Sequence, residues 1–197
     1  MEGRSGSVKR RTKETEVEAL VNLDGTGKVD VSTGIGFFDH MLTLMAVHGA
    51  LDLKILARGD LHVDCHHTVE DVGLCLGEAL DMALGNREQI RRYGYACIPM
   101  DEALAEVCVD LVKRPYLVYS RCSSLGHRVG EMETELIEEF LRALSSSGRI
   151  TLHAHIRYGS NSHHMVEALF KALGRALYEA TRPSTIYPGT PSSKGTM

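Results

Sequence analysis

The segment His66-His67-Thr68-Val69-Glu70 returns 97 residues later as His163-His164-Met165-Val166-Glu167. The match continues at the same spacing through Leu76/Leu173, Gly77/Gly174, Ala79/Ala176, Leu80/Leu177 and Ala83/Ala180. A period close to half of the 197 residues marks an internal duplication. Apolar residues at 69, 72, 76 and 80, and at 166, 169, 173 and 177, recur every three or four positions, so both stretches predict amphipathic helices.

Working outward, a second helix is expected before each copy, over residues 37–47 and 136–144, with Gly49 and Gly148 as stop signals. Alternating runs follow at 51–57 and 150–156. Val17, Ala19, Val21 and Leu23 alternate with polar residues, and the turn Asp24-Gly25-Thr26-Gly27 leads into 28–32. Residues 103–109 and 115–121 do the same in the second half. Strand-strand-helix-strand-helix, twice, predicts an internally duplicated α+β fold, each half a small mixed sheet with two helices on one face. The expected division is 1–97, 98–182 and a loop-like tail 183–197, together one compact unit.

Composition narrows the function classes. Hydrophobic residues make up 43% and charged residues 24%, which is globular and not disordered. A net charge of −4 and the absence of Trp argue against a nucleic-acid surface. No apolar run suits a membrane span and the start lacks a secretory core, so no membrane partner and a cytoplasmic location are expected. Five cysteines, an odd number without C-x-x-C spacing, read as reduced thiols that pack and not as nucleophiles. His153 and His155 read as solvent-facing on a strand.

The duplicated motif itself points to metal. On a helix, residues four apart share a face, whereas adjacent residues point about 100° apart. His66 with Glu70, and His163 with Glu167, are therefore natural two-ligand sets. His67 and His164 point elsewhere, and a pseudo-twofold would carry each to the other half's ion. His40 and Glu139 lie nine residues before Gly49 and Gly148, so the repeat nominates them as further ligands. Imidazole and carboxylate without thiolate suit Mn(II), Fe(II) or Zn(II), with Mn(II) favoured by a high coordination number. His48, eight residues beyond His40, is a candidate acid/base or a histidine favoured by the helix C-terminus. A dinuclear hydrolase and a non-catalytic metal sensor are the competing classes at this point.

The motifs Arg11-Thr-Lys-Glu-Thr15, Gly36-Phe-Phe-Asp-His-Met-Leu42, His66-His-Thr-Val-Glu-Asp71, Arg92-Tyr-Gly-Tyr95, Arg114-Pro-Tyr116, Asn161-Ser-His-His164 and Pro191-Ser-Ser-Lys-Gly195 together resemble the imidazoleglycerol-phosphate dehydratase family. The resemblance runs over nearly the whole chain, in order. It implies a carbon–oxygen hydro-lyase of histidine biosynthesis that turns D-erythro-imidazoleglycerol phosphate into imidazoleacetol phosphate and water through a dimetal-bound imidazolate. It also implies two Mn(II) per active site, one on His40, His67, His163 and Glu167, the other on His66, Glu70 and His164. Where many members place a histidine as the last ligand, this chain has Glu139. By resemblance Glu14 is the acid/base, and Arg92, Arg114, Lys171, Ser192, Ser193 and Lys194 bind the substrate phosphate. The family further implies a homo-oligomer of 24 subunits with metal sites at subunit contacts.

Overall fold

A computed structural model describes residues 3–184, 186 and 189–192. The first half runs β1 (Ser5–Arg11), β2 (Thr15–Asn22), β3 (Val29–Ser32), α1 (Gly36–Gly49), β4 (Asp52–Gly59) and α2 (His66–Leu84). The second runs β5 (Tyr93–Met100), β6 (Ala103–Asp110), β7 (Tyr116–Ser120), the short pair β8 (Arg128–Val129) and β9 (Met132–Glu133), α3 (Leu136–Ser147), β10 (Thr151–Tyr158) and α4 (Ser162–Thr181). The two four-stranded sheets have matching orders, β1-β2-β4-β3 and β5-β6-β10-β7. In each, the third strand joins parallel to the fourth while the other pairings are antiparallel. The duplicated α+β architecture is thus present.

Each half opens with one more strand than the periodicity suggests. Both extra strands are sheet edges. In β1 the sequence Ser-Gly-Ser-Val-Lys-Arg-Arg is mostly polar and exposed, and β5 carries Gly94 and Pro99, which an edge tolerates. The division after residue 97 falls inside β5, whose whole length pairs with β6, so the second structural repeat begins before Tyr93.

The inner face of the first sheet is Val17, Ala19, Val21, Leu53 and Ile55; that of the second is Ala105, Val107, Leu152, Ala154 and Ile156. Both faces cover a middle layer of helices, in which α1 packs on α4 and α2 on α3. Phe38, Phe140 and Phe170 meet there, with ring centroids 5.3 Å and 5.5 Å apart. Truncating any one of these buried rings to alanine costs about 3–5 kcal/mol in transfer and cavity energy.

α1 ends at Gly49 and Gly148 caps α3, as expected, but neither glycine supplies the left-handed turn. The left-handed residues are the next ones along, Ala50 (φ 49°) and Arg149 (φ 50°). A Cβ on Gly49 would lie 3.1 Å from the Gly174 carbonyl, and one on Gly148 would lie 2.6 Å from the Leu144 carbonyl and 3.4 Å from that of Gly77. Backbone therefore meets backbone at both helix pairs, related by the repeat, and this sets how closely α1 approaches α4 and α2 approaches α3. Cys65 and Cys75 pack in the core, but Cys97 and Cys108 are exposed. His153 and His155 are half-buried on the outer face of β10. No helix among the described residues is long and apolar enough to cross a membrane.

Candidate metal centre

Each His-His motif begins its helix, held by a side chain two residues earlier. The His66 N–H donates to Asp64 Oδ1 at 2.7 Å, and the His163 N–H to Asn161 Oδ1 at 2.9 Å. These caps satisfy backbone donors left open at a helix start. They also set where each imidazole leaves the helix.

His40 from α1 and His163 and Glu167 from α4 converge, their ligand atoms all within 4.8 Å of one another. His163 Nε2 lies 3.1 Å, and His40 Nε2 3.5 Å, from Glu167 Oε2. Phe37 packs edge-on against His163 at 5.3 Å. Burial pushes the Glu167 carboxyl up, but Lys171, His163 and His40 together pull it below the usual value. It is an anion at neutral pH. Two imidazoles and a carboxylate, without thiolate, are a donor set that Mn(II) accepts.

In the other half, His66 Nε2 lies 3.7 Å from Glu70 Oε2. Glu139, on α3, faces Arg142 at 3.8 Å. Among the described residues these do not close into a second three-ligand cluster. The adjacent histidines go elsewhere: His67 Nδ1 lies 3.1 Å from Asp60, and His164 Nδ1 lies 2.8 Å from Glu102. Both carboxylates raise the imidazole they touch above its ordinary value, and His164 helps to hold Glu102 down at about 2. Among the described residues the internal pseudo-twofold therefore does not bring His67 or His164 into the His40–His163–Glu167 cluster within one chain; each ring is held by Asp60 or Glu102 instead. Asp60 and Glu102 were not singled out from the sequence, although counting residues along the two hairpins would have placed Glu102 level with Glu14.

The imidazoleglycerol-phosphate dehydratase family model matches residues 33–177, which spans both motifs. This chain belongs to the imidazoleglycerol-phosphate dehydratase family. It is 57% identical over 194 residues to the imidazoleglycerol-phosphate dehydratase of Syntrophobacter fumaroxidans, covering 98% of each chain. It is 53% identical to that of Acetivibrio thermocellus, covering 98% of this chain and 99% of the relative. The crystal structure of the Staphylococcus aureus enzyme matches with a TM-score of 0.81 at 38% identity, covering 91% of this chain and 99% of that one. The IGPD structure from Pyrococcus furiosus matches with a TM-score of 0.83 at 36% identity, covering 96% and 100%.

The remaining residues that the family resemblance names fall in separate places. Glu14 is exposed in the β1–β2 turn, near enough to His67 to help hold its proton. His48 sits in the last turn of α1, where burial, Lys171 and Arg175 push its imidazole below the ordinary value. Lys171 reaches the metal cluster, its Nζ 2.6 Å from Glu167 Oε1. Arg92 holds Asp110 at 2.7 Å and donates to the Pro191 carbonyl, which lays the tail up to Ser192 along it. Arg114 is exposed beside the start of β10, its carbonyl accepting from Thr151. Ser193 and Lys194 lie outside the described residues. The eight residues of β5 separate Arg92 from Glu102 and His164. At ~3.3 Å per residue the two ends stand roughly 25 Å apart. Lys171 is therefore at the metal cluster of its own chain, whereas Arg92 and Arg114 stand at the other end of the sheet.

Proposed function

We propose that this chain is a Mn(II)-dependent dehydratase of D-erythro-imidazoleglycerol phosphate, forming imidazoleacetol phosphate in histidine biosynthesis. The observation that carries the reading is the convergence of His40, His163 and Glu167 in a chain that belongs to this family. Fe(II) and Zn(II) are the alternative ions for the same donor set. When bound, divalent ions supply Lewis acidity that makes an imidazole N–H easier to remove.

The chain's own groups divide the remaining tasks. His40, His163 and Glu167 hold one ion; His66, Glu70 and Glu139 stand at the repeat-related place for the second, with His67 and His164 completing the shells. Glu14 and His48 move the protons of the side chain, and a His48 held neutral at pH 7 is suited to accept one. Arg92, Arg114, Lys171, Ser192, Ser193 and Lys194 bind the phosphate, arginine offering two parallel N–H donors. Because Arg92 and Arg114 lie at the opposite end of the second sheet from the metal cluster, a second copy of the chain completes the site. The protein is accordingly a cytoplasmic homo-oligomer, of 24 subunits by family resemblance.

The test is turnover of imidazoleglycerol phosphate by chelator-stripped protein, before and after Mn(II) is restored. Activity appearing with Mn(II), with imidazoleacetol phosphate as product, is the expected result. Mn(II) binding without dehydration would leave the metal centre and remove the reaction.

A further inference from the structure

The five histidines of the centre are held in two different ways. His40, His66 and His163 each turn Nε2 toward a carboxylate that is itself a candidate ligand, Glu167 or Glu70. His67 and His164 are tied through Nδ1 instead, to Asp60 and Glu102. An imidazole that donates Nδ1–H to a carboxylate is fixed in one tautomer and one orientation, with the Nε2 lone pair left to bind an ion.

The two carboxylates come from different places in the duplicated fold. Glu102 is the last residue of the β5–β6 turn, immediately before β6. Its counterpart, immediately before β2, is Glu14. Asp60 instead follows directly after β4, and the residue directly after β10 is Gly159, which has no side chain to offer. The second half therefore holds its histidine with the hairpin glutamate. The first half does so with a residue from the strand–helix loop, and its hairpin glutamate makes no hydrogen bond to His67.

We propose that Asp60 and Glu102 are the positioning residues of His67 and His164, and that Asp60 releases Glu14 from that task so that it can transfer protons. This rests on the metal-dependent dehydratase reading above. It explains why a duplicated fold presents a hairpin glutamate for chemistry in one half alone. Glu102 also accepts the Ser160 and Asn161 N–H groups, at 3.1 Å and 2.7 Å, so its removal loosens the entry to α4 as well. The Asp60 side chain bonds to His67 and thus isolates the effect on the ring.

The experiment is titration of the full-length, chelator-stripped protein with Mn(II), read by the electron spin resonance of the free ion. Asp60→Ala and Glu102→Ala are each expected to weaken binding ~10–100-fold, the range for carboxylates behind metal-binding histidines. Glu102→Asp should recover most of the loss. Glu14→Gln should leave the titration within about 3-fold of wild type in the natural background, yet weaken it further when combined with Asp60→Ala, a non-additivity expected of groups that share a partner. His164→Ala is the control for the underlying reading. If His164→Ala loses metal while Asp60→Ala and Glu102→Ala bind as wild type, the positioning role is overturned and the metal centre stands. If His164→Ala also binds as wild type, both readings fall. A Glu14→Gln protein that loses metal as severely as Asp60→Ala would overturn the division of labour.

Discussion

Lys171 lies one helical turn beyond Glu167 and places its ammonium 2.6 Å from Oε1, while Oε2 of the same carboxylate faces His163 and His40. One oxygen is thus held by a cation of the protein and the other is turned toward the place where a metal would sit. The pair is nearly buried, so removing either partner leaves a charge that water reaches poorly. Glu167→Gln should weaken Mn(II) binding by at least ~10-fold, since a charged ligand is lost. Lys171→Met should not weaken it, because an ammonium beside a dication is repulsive. The metal-free Lys171→Met protein should instead melt lower than wild type, and Mn(II) should raise its midpoint by more than it raises that of wild type. Equal effects of Mn(II) on both midpoints would show that Lys171 does not balance Glu167.

A Cβ on Gly174 would overlap the Met45 carbonyl and lie 3.0 Å from the Gly49 N–H. Because the obstacle is backbone, no side-chain rotation relieves it, and α1 and α4 must move apart. Helix propensity gains about 1 kcal/mol in Gly174→Ala, while overpacking costs up to ~3 kcal/mol. A net loss of about 2 kcal/mol is expected by urea denaturation. The same displacement separates His40 from His163, so Mn(II) affinity should fall with stability. Gly77→Ala, at the repeat-related α2–α3 contact, should cost about as much stability while leaving the His40–His163 cluster intact.

The duplication was legible because it is written in helix-spaced residues: the His-His-x-x-Glu motifs fix two helices, and the apolar spacing after them fixes the buried faces. Strands at sheet edges were less legible. β1 and β5 are mostly exposed, so neither shows apolar alternation, and their partners alone make them strands. In the site, the four-residue spacing of His163 and Glu167 foretold their meeting; the repeat nominated His40 as a ligand, and the family resemblance alone grouped it with those two. Asp60 was not legible, since it meets His67 through a loop whose geometry no periodicity encodes, and for Glu102 the hairpin count gives its place before β6 but not its contact with His164. α1 does end at Gly49, but the close approach of Gly49 to Gly174 was not legible, because it joins residues far apart in the chain.

Arg4 clamps the start of β1 to the rest of the molecule. Its guanidinium lies 2.6 Å from Asp24 and donates to the Thr181 carbonyl at the end of α4. Arg4 holds the Asp24 carboxyl down to about 2, from 3.8. A depressed carboxylate contributes stability above its unfolded value, and that contribution is lost as pH falls through the folded value. Asp24 is partly exposed, so solvent screening limits the effect to ~1 kcal/mol. Wild type should exceed Asp24→Asn by this amount from pH 7 down to about 4, and the gap should close between pH 4 and 2. A gap that persists at pH 2 would mean that the carboxylate charge is not what stabilises the clamp.

Arg114 and His163 lie toward opposite ends of the second sheet, Arg114 beside the start of β10 and His163 beyond its end. If one site draws phosphate-binding groups from one chain and metal ligands from another, damage to the two ends is separable. The Arg114→Ala and His163→Ala proteins should each be nearly inactive. Arg114 is exposed, so the first loss reflects substrate binding and not folding. Co-expression of the two variants builds mixed oligomers in which some sites combine an intact Arg114 from one chain with an intact His163 from another. Those sites should turn over imidazoleglycerol phosphate, and purified mixed oligomers should exceed the summed activity of the two parents. Activity equal to that sum, in oligomers shown by mass spectrometry to contain both chains, would place both residues in the site of a single chain.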